Sequence, residues 1–236
     1  MRPLNGCLSL TIWLLLSAVF VQPSVAQTSD SDLPISYHLF WGGYTYGKLL
    51  GYYNRSLANY ETLATAQKEY DRGLMIALSV TLERSVRAMK CPPEVKEALN
   101  GLESELSARG TPRESRLTEI DTFVQCAETY PAALQQYWWT GRSVGRLSFL
   151  FENLERPEID LLPNSSDHVL LEELKYLGTN SVLLRGTPGF PRQAETLLKE
   201  LEDIRVANAQ NRELPTATRN LIKRYVNEIP QSFVNP

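Results

Sequence analysis

One nine-residue pattern occurs twice in this chain, and it restricts the possible folds more than any other feature. Residues 41–49 and 139–147 share the pattern W-x-G-x-[TS]-x-G-[KR]-L at an offset of 98 residues. The similarity continues, in the same order, through proline, leucine and aromatic positions later in each half. Internal similarity in chain order indicates duplicated structural units. The sequence therefore predicts two repeats, at 35–130 and 131–236.

The glycines inside this pattern have the spacing of one helix face. They lie four residues apart in each copy, and residues four apart share a face of a helix. Glycine in a helix interior costs about 0.5–1 kcal/mol relative to alanine, so it needs a compensating role, such as the close approach of another backbone. We therefore predict that two glycine-bearing helices cross each other. The predicted packing residues are Trp41, Gly43, Gly47, Gly51, Trp139, Gly141 and Gly145.

Prolines and glycines divide the rest of the chain into segments with helical periodicity. Apolar residues recur at intervals of three and four from Leu63 to Met89, which is the spacing of an amphipathic helix. Further helices are predicted at 94–106, at 113–127 and from 131 to about 156. The segment 113–127 is predicted to form one continuous helix. The alternation typical of a strand is absent from the sequence. The predicted fold class is all-α, with two tandem four-helix units packed through glycine-spaced helices.

Residues 1–26 have the three-part composition of a secretory signal peptide. Arg2 supplies a short positive region, residues 7–21 carry no charge, and residues 24–26 form a small-residue cleavage site. An uncharged run of about 15 residues is shorter than the roughly 20 needed to span a bilayer. We expect an exported protein, periplasmic or secreted, without stable membrane insertion after cleavage. Residues 27–34 then form a flexible leader.

The charge balance argues against a nucleic-acid partner. The chain has 24 Lys and Arg and 27 Asp and Glu residues. Removal of the signal peptide takes only Arg2, which leaves 23 basic and 27 acidic residues and a net charge of −4. Proteins that bind nucleic acids usually carry a basic patch or stripe, and no cluster of lysine and arginine stands out here.

Two cysteines, Cys91 and Cys126, follow the signal peptide. In an oxidising compartment an even pair most simply forms one disulfide. Two buried free thiols are the alternative, and the sequence leaves both open. A disulfide that closes a loop of about 36 residues stabilises a chain by roughly 3–4 kcal/mol in the chain-entropy description.

The residues at 141–145 match G-x-S-x-G, the nucleophile elbow of some hydrolases. That motif works on a strained strand-to-helix turn, whereas here it lies inside a predicted helix, and Thr45 replaces the serine in the first copy. The only histidines, His38 and His168, fall at non-corresponding points of the two copies. We therefore interpret the motif as helix packing and predict a non-enzymatic protein that uses no cofactor and no metal.

Aromatic residues around the repeated pattern leave two kinds of binding open. Core packing accounts for most of them, but Tyr44, Tyr46 and Trp138 are candidates for contact with a ligand. The leading prediction is a protein that binds another macromolecule, and a small-ligand or glycan binder is the alternative. Asn54 and Asn164 each begin an N-x-S triplet, which is a glycosylation site only in a eukaryotic secretory pathway.

The order of these features resembles the small periplasmic immunity proteins of the Rap/Tai type. A glycine-spaced aromatic helix at 43–47 is followed by Cys91-Pro92-Pro93, which opens a later helix, and by a helix that ends in Cys126 and Tyr130-Pro131. The resemblance implies an all-helical, disulfide-bonded protein that binds and blocks the cell-wall enzymes delivered by type VI secretion. The duplication and the lack of cysteine in the second copy depart from that family, and no inhibitory residue can be carried over.

Overall fold

The computed structural model describes residues 33–154, 166–211 and 213–234. The predicted signal peptide and most of the predicted leader lie outside these residues. Helices and short connections make up the described ranges and no strand occurs in them, so the predicted all-α fold is confirmed. Within the same ranges, no helix is both long and apolar enough to cross a bilayer.

The helices follow one another in the order expected from the punctuation of the sequence. The first half of the chain contains α1 (Ile35–Asn59), α2 (Thr65–Ala88), α3 (Pro93–Ser107), α4 (Glu114–Ile120) and α5 (Thr122–Glu128). The second half contains α6 (Ala132–Leu154), α7 (Ser166–Ser181), a 3-10 turn (Val182–Leu184), α8 (Arg192–Ala207) and α9 (Thr216–Ser232).

Proline fixes where several of these helices begin. Pro34, Pro92, Pro191 and Pro215 each occupy the residue before a helix, and Pro93 is the first residue of α3. The fixed φ of proline suits the start of a helix, where its missing N–H would have no helical partner in any case. The prolines therefore mark helix starts that are visible in the sequence.

The segment predicted as one helix at 113–127 is two short helices. Helix α4 ends at Ile120 and α5 begins at Thr122, with Asp121 between them. The Asp121 carboxylate accepts a hydrogen bond of 2.7 Å from the Tyr46 hydroxyl of α1. The prediction of a continuous helix was wrong because the break lies at a tertiary contact that local periodicity does not reveal.

Helices α1 and α6 pack at the centre of the fold and run in the same direction. A Cβ atom added at Gly43 would lie 2.1 Å from the carbonyl oxygen of Trp138, and one added at Gly47 would lie 2.2 Å from that of Arg142. Because later residues of α1 meet later residues of α6, the two helices are parallel. Their backbones touch at positions where only glycine leaves enough room.

The contacts between α1 and α6 are reciprocal. A Cβ atom at Gly141 would lie 2.0 Å from the carbonyl oxygen of Phe40, and one at Gly145 would lie 2.0 Å from that of Tyr44. These positions are the equivalents, 98 residues away, of those that contact Gly43 and Gly47. The helix pair is therefore related by a local two-fold axis that runs along the helices.

The remaining helices surround this pair. Helix α2 packs along α1, α7 packs along α6, and α8 lies against both α7 and α9. The chain from Leu33 to Pro236 forms a single compact unit. The boundary between the predicted repeats consequently does not separate two folded bodies, and the duplication itself remains a prediction from the sequence.

The two cysteines form a disulfide, with their Cα atoms 5.4 Å apart. Cys91 belongs to the connection between α2 and α3, and Cys126 belongs to α5. The Tyr130 hydroxyl donates a hydrogen bond of 2.6 Å to the carbonyl oxygen of Met89 at the same connection. The predicted pairing of the two cysteines is confirmed.

Candidate functional site

The α1–α6 pair has two opposite faces that carry different side chains. Because the local two-fold axis runs along the helices, equivalent residues of α1 and α6 that point away from the axis lie on opposite sides of the pair. The tyrosine face consists of Trp41, Tyr44, Lys48, Ser148 and Glu152. The arginine face consists of Trp139, Arg142, Arg146 and Glu173.

Two aromatic rings of the tyrosine face pack against each other and remain partly exposed. The ring centres of Trp41 and Tyr44 are 5.4 Å apart, with the ring planes at 76°. Tyr37 extends the row, with its ring centre 6.1 Å from that of Trp41. Edge-to-face pairs at such distances are favourable, so these rings hold one another in place. Trp41 and Tyr44 are half-buried and keep part of their surface in contact with solvent.

A hydrogen-bonded chain of polar groups continues the tyrosine face. The Tyr44 hydroxyl donates to Ser148 Oγ at 3.2 Å, and Lys48 Nζ donates to Glu152 Oε1 at 2.6 Å. The Tyr52 hydroxyl donates to the other Glu152 oxygen at 2.6 Å. Burial, helped by the negative charge of Glu152, raises the pKa of Tyr52 well above its ordinary value. Tyr52 therefore keeps its proton, and the network orients the side chains of the tyrosine face.

A buried ion pair beside the tyrosine face joins α1, α2 and α6. Arg55 Nε donates to Asp71 Oδ2 at 3.1 Å, and its two Nη groups donate to Asp71 and to Asn153. The Gln67 amide donates to the same Asp71 carboxylate at 2.6 Å. The Arg55 guanidinium also lies 5.0 Å from the ring centre of Tyr52. The ion pair thereby fixes the helices that carry the face.

The arginine face replaces tyrosine and lysine with two guanidinium groups. The guanidinium carbon of Arg142 lies 5.7 Å from the ring centre of Trp139. Arg146 forms an ion pair with Glu173 of α7. Burial raises the pKa of the Glu173 carboxyl, and the positive charges of Arg146 and Arg142 oppose this shift. Arg146 is thus the ion-pair partner of Glu173, and the charge of Arg142 also acts on this carboxyl group.

Two of the three residues predicted to face a ligand lie in the core. Tyr46 and Trp138 are each 1% exposed, and their ring centres are 5.6 Å apart. The prediction was wrong for these two because the crossing turns their sides of α1 and α6 inward, where Phe123 of α5 packs against Tyr46. Tyr44 lies on the tyrosine face and reaches the surface.

The sequence interpretation missed most of the polar residues on the two faces. Lys48 and Arg146 occupy the same position of the repeated pattern. A comparison of the two copies shows that Arg142 stands in the second copy where Tyr44 stands in the first. That difference within a repeated pattern was an available signal. Glu152 gave no comparable signal, because its partners come from α1 and are distant in the sequence.

The G-x-S-x-G match lies within α6 and contributes to packing. Ser143 is 1% exposed, and the Asn180 amide donates to its Oγ at 3.3 Å. The flanking Gly141 and Gly145 face the backbone of α1. Among the residues that the structure describes, no group of three or more His, Cys, Asp or Glu side chains is arranged to hold a metal ion.

A cavity of about 560 Å³ lies beside α3, and its charged groups are paired with one another. Glu105 accepts a hydrogen bond from the Tyr53 hydroxyl at 3.1 Å and from Arg113 at 2.6 Å. Arg116 reaches the same carboxylate at 3.3 Å. None of the lining residues belongs to the tyrosine face or the arginine face.

Comparison of the chain with protein-family models, with curated protein sequences and with solved structures gives no match. The class of protein that the fold and the two faces define is an all-α, disulfide-bonded bundle built around a parallel pair of glycine-crossed helices.

Proposed function

We propose that this protein is an exported, non-enzymatic binding protein that recognises another macromolecule through the tyrosine face. The observation that carries the proposal is the pair of half-buried rings of Trp41 and Tyr44, which are held by each other and by the crossing. Tyrosine and tryptophan are enriched in protein interfaces because they supply a large contact area with few rotatable bonds. Rings that are already ordered lose little entropy on binding.

The position of the tyrosine face favours a macromolecule over a small ligand. Its residues lie on the outside of a helix pair, and none of them lines the cavity beside α3. Small-molecule sites are usually concave, whereas a protein interface combines an aromatic centre with a polar edge. The Lys48–Glu152 ion pair supplies such an edge next to Tyr44.

Export and an inhibitory role are part of the proposal. The signal-like composition of residues 1–26 motivates export, and the Cys91–Cys126 disulfide supports it because disulfides persist in oxidising compartments. The resemblance of the first half to Rap/Tai-type immunity proteins motivates a specific form, in which the partner is a cell-wall hydrolase. The helical, disulfide-bonded fold is compatible with that form.

The test is affinity capture of the tagged chain, beginning at residue 27, from its native envelope and culture fluid, followed by mass spectrometry. We expect a stoichiometric protein partner that Tyr44→Ala binds at least about tenfold more weakly, the loss typical of a central interface residue. Tyr176→Ala is the matched control, since Tyr176 is 55% exposed on α7 and belongs to neither face. This variant should bind like the wild type.

The outcomes separate the proposal from its alternatives. Inhibition of a captured cell-wall hydrolase by the purified protein would support the immunity form. Equal binding of the partner by the wild type and Tyr44→Ala would exclude the tyrosine face. If no partner were captured while peptidoglycan fragments changed the tryptophan fluorescence, a glycan-binding function would replace the proposal.

A further inference from the structure

Arg142 differs from the other charged residues at the helix crossing because it forms no hydrogen bond or ion pair with any residue that the structure describes. Its equivalent in α1, Tyr44, donates a hydrogen bond to Ser148, and its neighbour Arg146 pairs with Glu173. In the described part of the chain, Arg142 contacts the Trp139 ring and forms no hydrogen bond or ion pair.

The environment of Arg142 shields one side of its guanidinium group. Its Nε is buried without a hydrogen-bond partner, whereas its Nη groups are not among the enclosed polar atoms. The two Nη groups therefore form the accessible edge of the group. The guanidinium carbon lies 5.7 Å from the Trp139 ring centre, within the range of a cation–π interaction, and this contact restricts where the edge can lie.

The charge around this edge is not balanced by the residues on the same face. Arg142 and Arg146 contribute two positive charges, and Glu173, which pairs with Arg146, contributes one negative charge. Asp121 accepts a hydrogen bond from Tyr46, whose phenol the charge of Arg142 also influences. Partly buried charge is costly without a counter-ion, so the arginine face favours a bound anion.

We propose that the arginine face is a second binding site, which holds a carboxylate or phosphate group on the accessible edge of Arg142. A guanidinium offers parallel N–H donors that match the two oxygens of such groups, and charge-assisted hydrogen bonds of this kind are among the strongest in proteins. The site is on the opposite side of the helix pair from the tyrosine face, and it does not depend on the function proposed for that face.

Thermal unfolding of the purified chain in sodium phosphate, sodium acetate and sodium chloride at matched ionic strength tests this site. We expect phosphate or acetate to raise the melting temperature in a saturable way that chloride does not reproduce, because an anion that binds only the folded state stabilises it. Arg142→Gln should weaken the apparent affinity by about tenfold or more, which is the loss expected for a charged hydrogen bond. Arg142→Lys, which keeps the charge without the planar fork, should give an intermediate loss.

The same thermal unfolding measurement supplies the control and the results that would overturn the proposal. Arg87→Gln, at a position where the side chain is 76% exposed on α2, should respond to anions like the wild type. A stronger response to phosphate would indicate a phosphate-bearing ligand, and a stronger response to acetate would indicate a carboxylate. An equal response of the wild type and Arg142→Gln, or the same stabilisation by chloride, would overturn the proposal.

Discussion

At the scale of single residues, two glycines inside helices have opposite surroundings. A Cβ atom at Gly145 would lie 2.0 Å from the carbonyl oxygen of Tyr44, a backbone atom that cannot move away without displacing α1. Gly73, in the interior of α2, has no neighbouring atom within 4 Å of such a position. The first glycine is required by the helix crossing, and the second is not.

Alanine substitutions at these two glycines should therefore change stability in opposite directions. Gly145→Ala should lower the free energy of unfolding by about 3 kcal/mol, because the added methyl group overpacks a contact between backbones. Gly73→Ala should raise it by about 0.5–1 kcal/mol, since alanine is the better helix former. Urea unfolding followed by circular dichroism measures both changes. A Gly145→Ala variant as stable as Gly73→Ala would contradict the close approach.

At the scale of helices, the Arg55–Asp71 ion pair connects α1 with α2, and the hydrogen bond from Arg55 to Asn153 connects both with α6. The side chains of Arg55 and Asp71 are 1% and 0% exposed. Arg55 and Asn153 occupy equivalent positions of the two copies, 98 residues apart. The two helices of the central pair are thus held by glycine contacts and, near their carboxyl ends, by this polar contact.

Removal of one partner of this buried pair should cost more than removal of both. Arg55→Met leaves the Asp71 charge buried and unpaired, and should lower the free energy of unfolding by about 3–5 kcal/mol. The double variant Arg55→Met with Asp71→Leu should recover much of that loss, because it leaves no uncompensated charge. A double-mutant cycle from urea unfolding gives the coupling energy.

A surface pair provides the comparison for this cycle. Arg87 pairs with Glu83 on the exposed side of α2, where its side chain is 76% exposed. Arg87→Met should cost less than about 1 kcal/mol, as is usual for exposed ion pairs. If Arg55→Met were as mild as Arg87→Met, the buried pair would not be holding the three helices together.

At the scale of the whole molecule, the two halves are held by different kinds of connection. In the first half, the Cys91–Cys126 disulfide links the α2–α3 connection to α5. In the second half, the Asp167 carboxylate at the start of α7 accepts hydrogen bonds from the Leu214 N–H at 2.8 Å and from Arg219 at 2.9 Å. The compact unit from Leu33 to Pro236 nevertheless joins both halves through the central helix pair.

Loss of the disulfide should therefore destabilise the whole chain and not only its first half. The Cys91→Ser, Cys126→Ser variant should lose about 3–4 kcal/mol, because the disulfide restricts the unfolded chain across a separation of 35 residues. Circular dichroism and tryptophan fluorescence should report a single urea transition in both proteins, as expected for one cooperative unit. Two separate transitions would show that the halves unfold independently.

Much of the fold could be predicted from the sequence because local rules determine it. The prolines before α1, α3, α8 and α9 set helix starts through their fixed φ, and apolar periodicity identified α2. The spacing of Gly43, Gly47, Gly141 and Gly145 predicted a crossing of two helices, since a helical stripe of glycine needs a compensating contact. These are properties of short segments, and they require no knowledge of the partner surface.

The two faces depend on contacts between residues that are distant in the sequence. Tyr46 and Trp138 were expected near a ligand and are buried, because the direction in which α1 and α6 pack decides which of their sides is enclosed. The pairing of Lys48 with Glu152 and the unpaired guanidinium of Arg142 arise from the same geometry. The sequence by itself determined most of the helices and the glycine contact, because both follow from local spacing. Only the tertiary structure decided between a disulfide and two free thiols, and which side chains reach solvent, because both depend on the surfaces that meet in the fold.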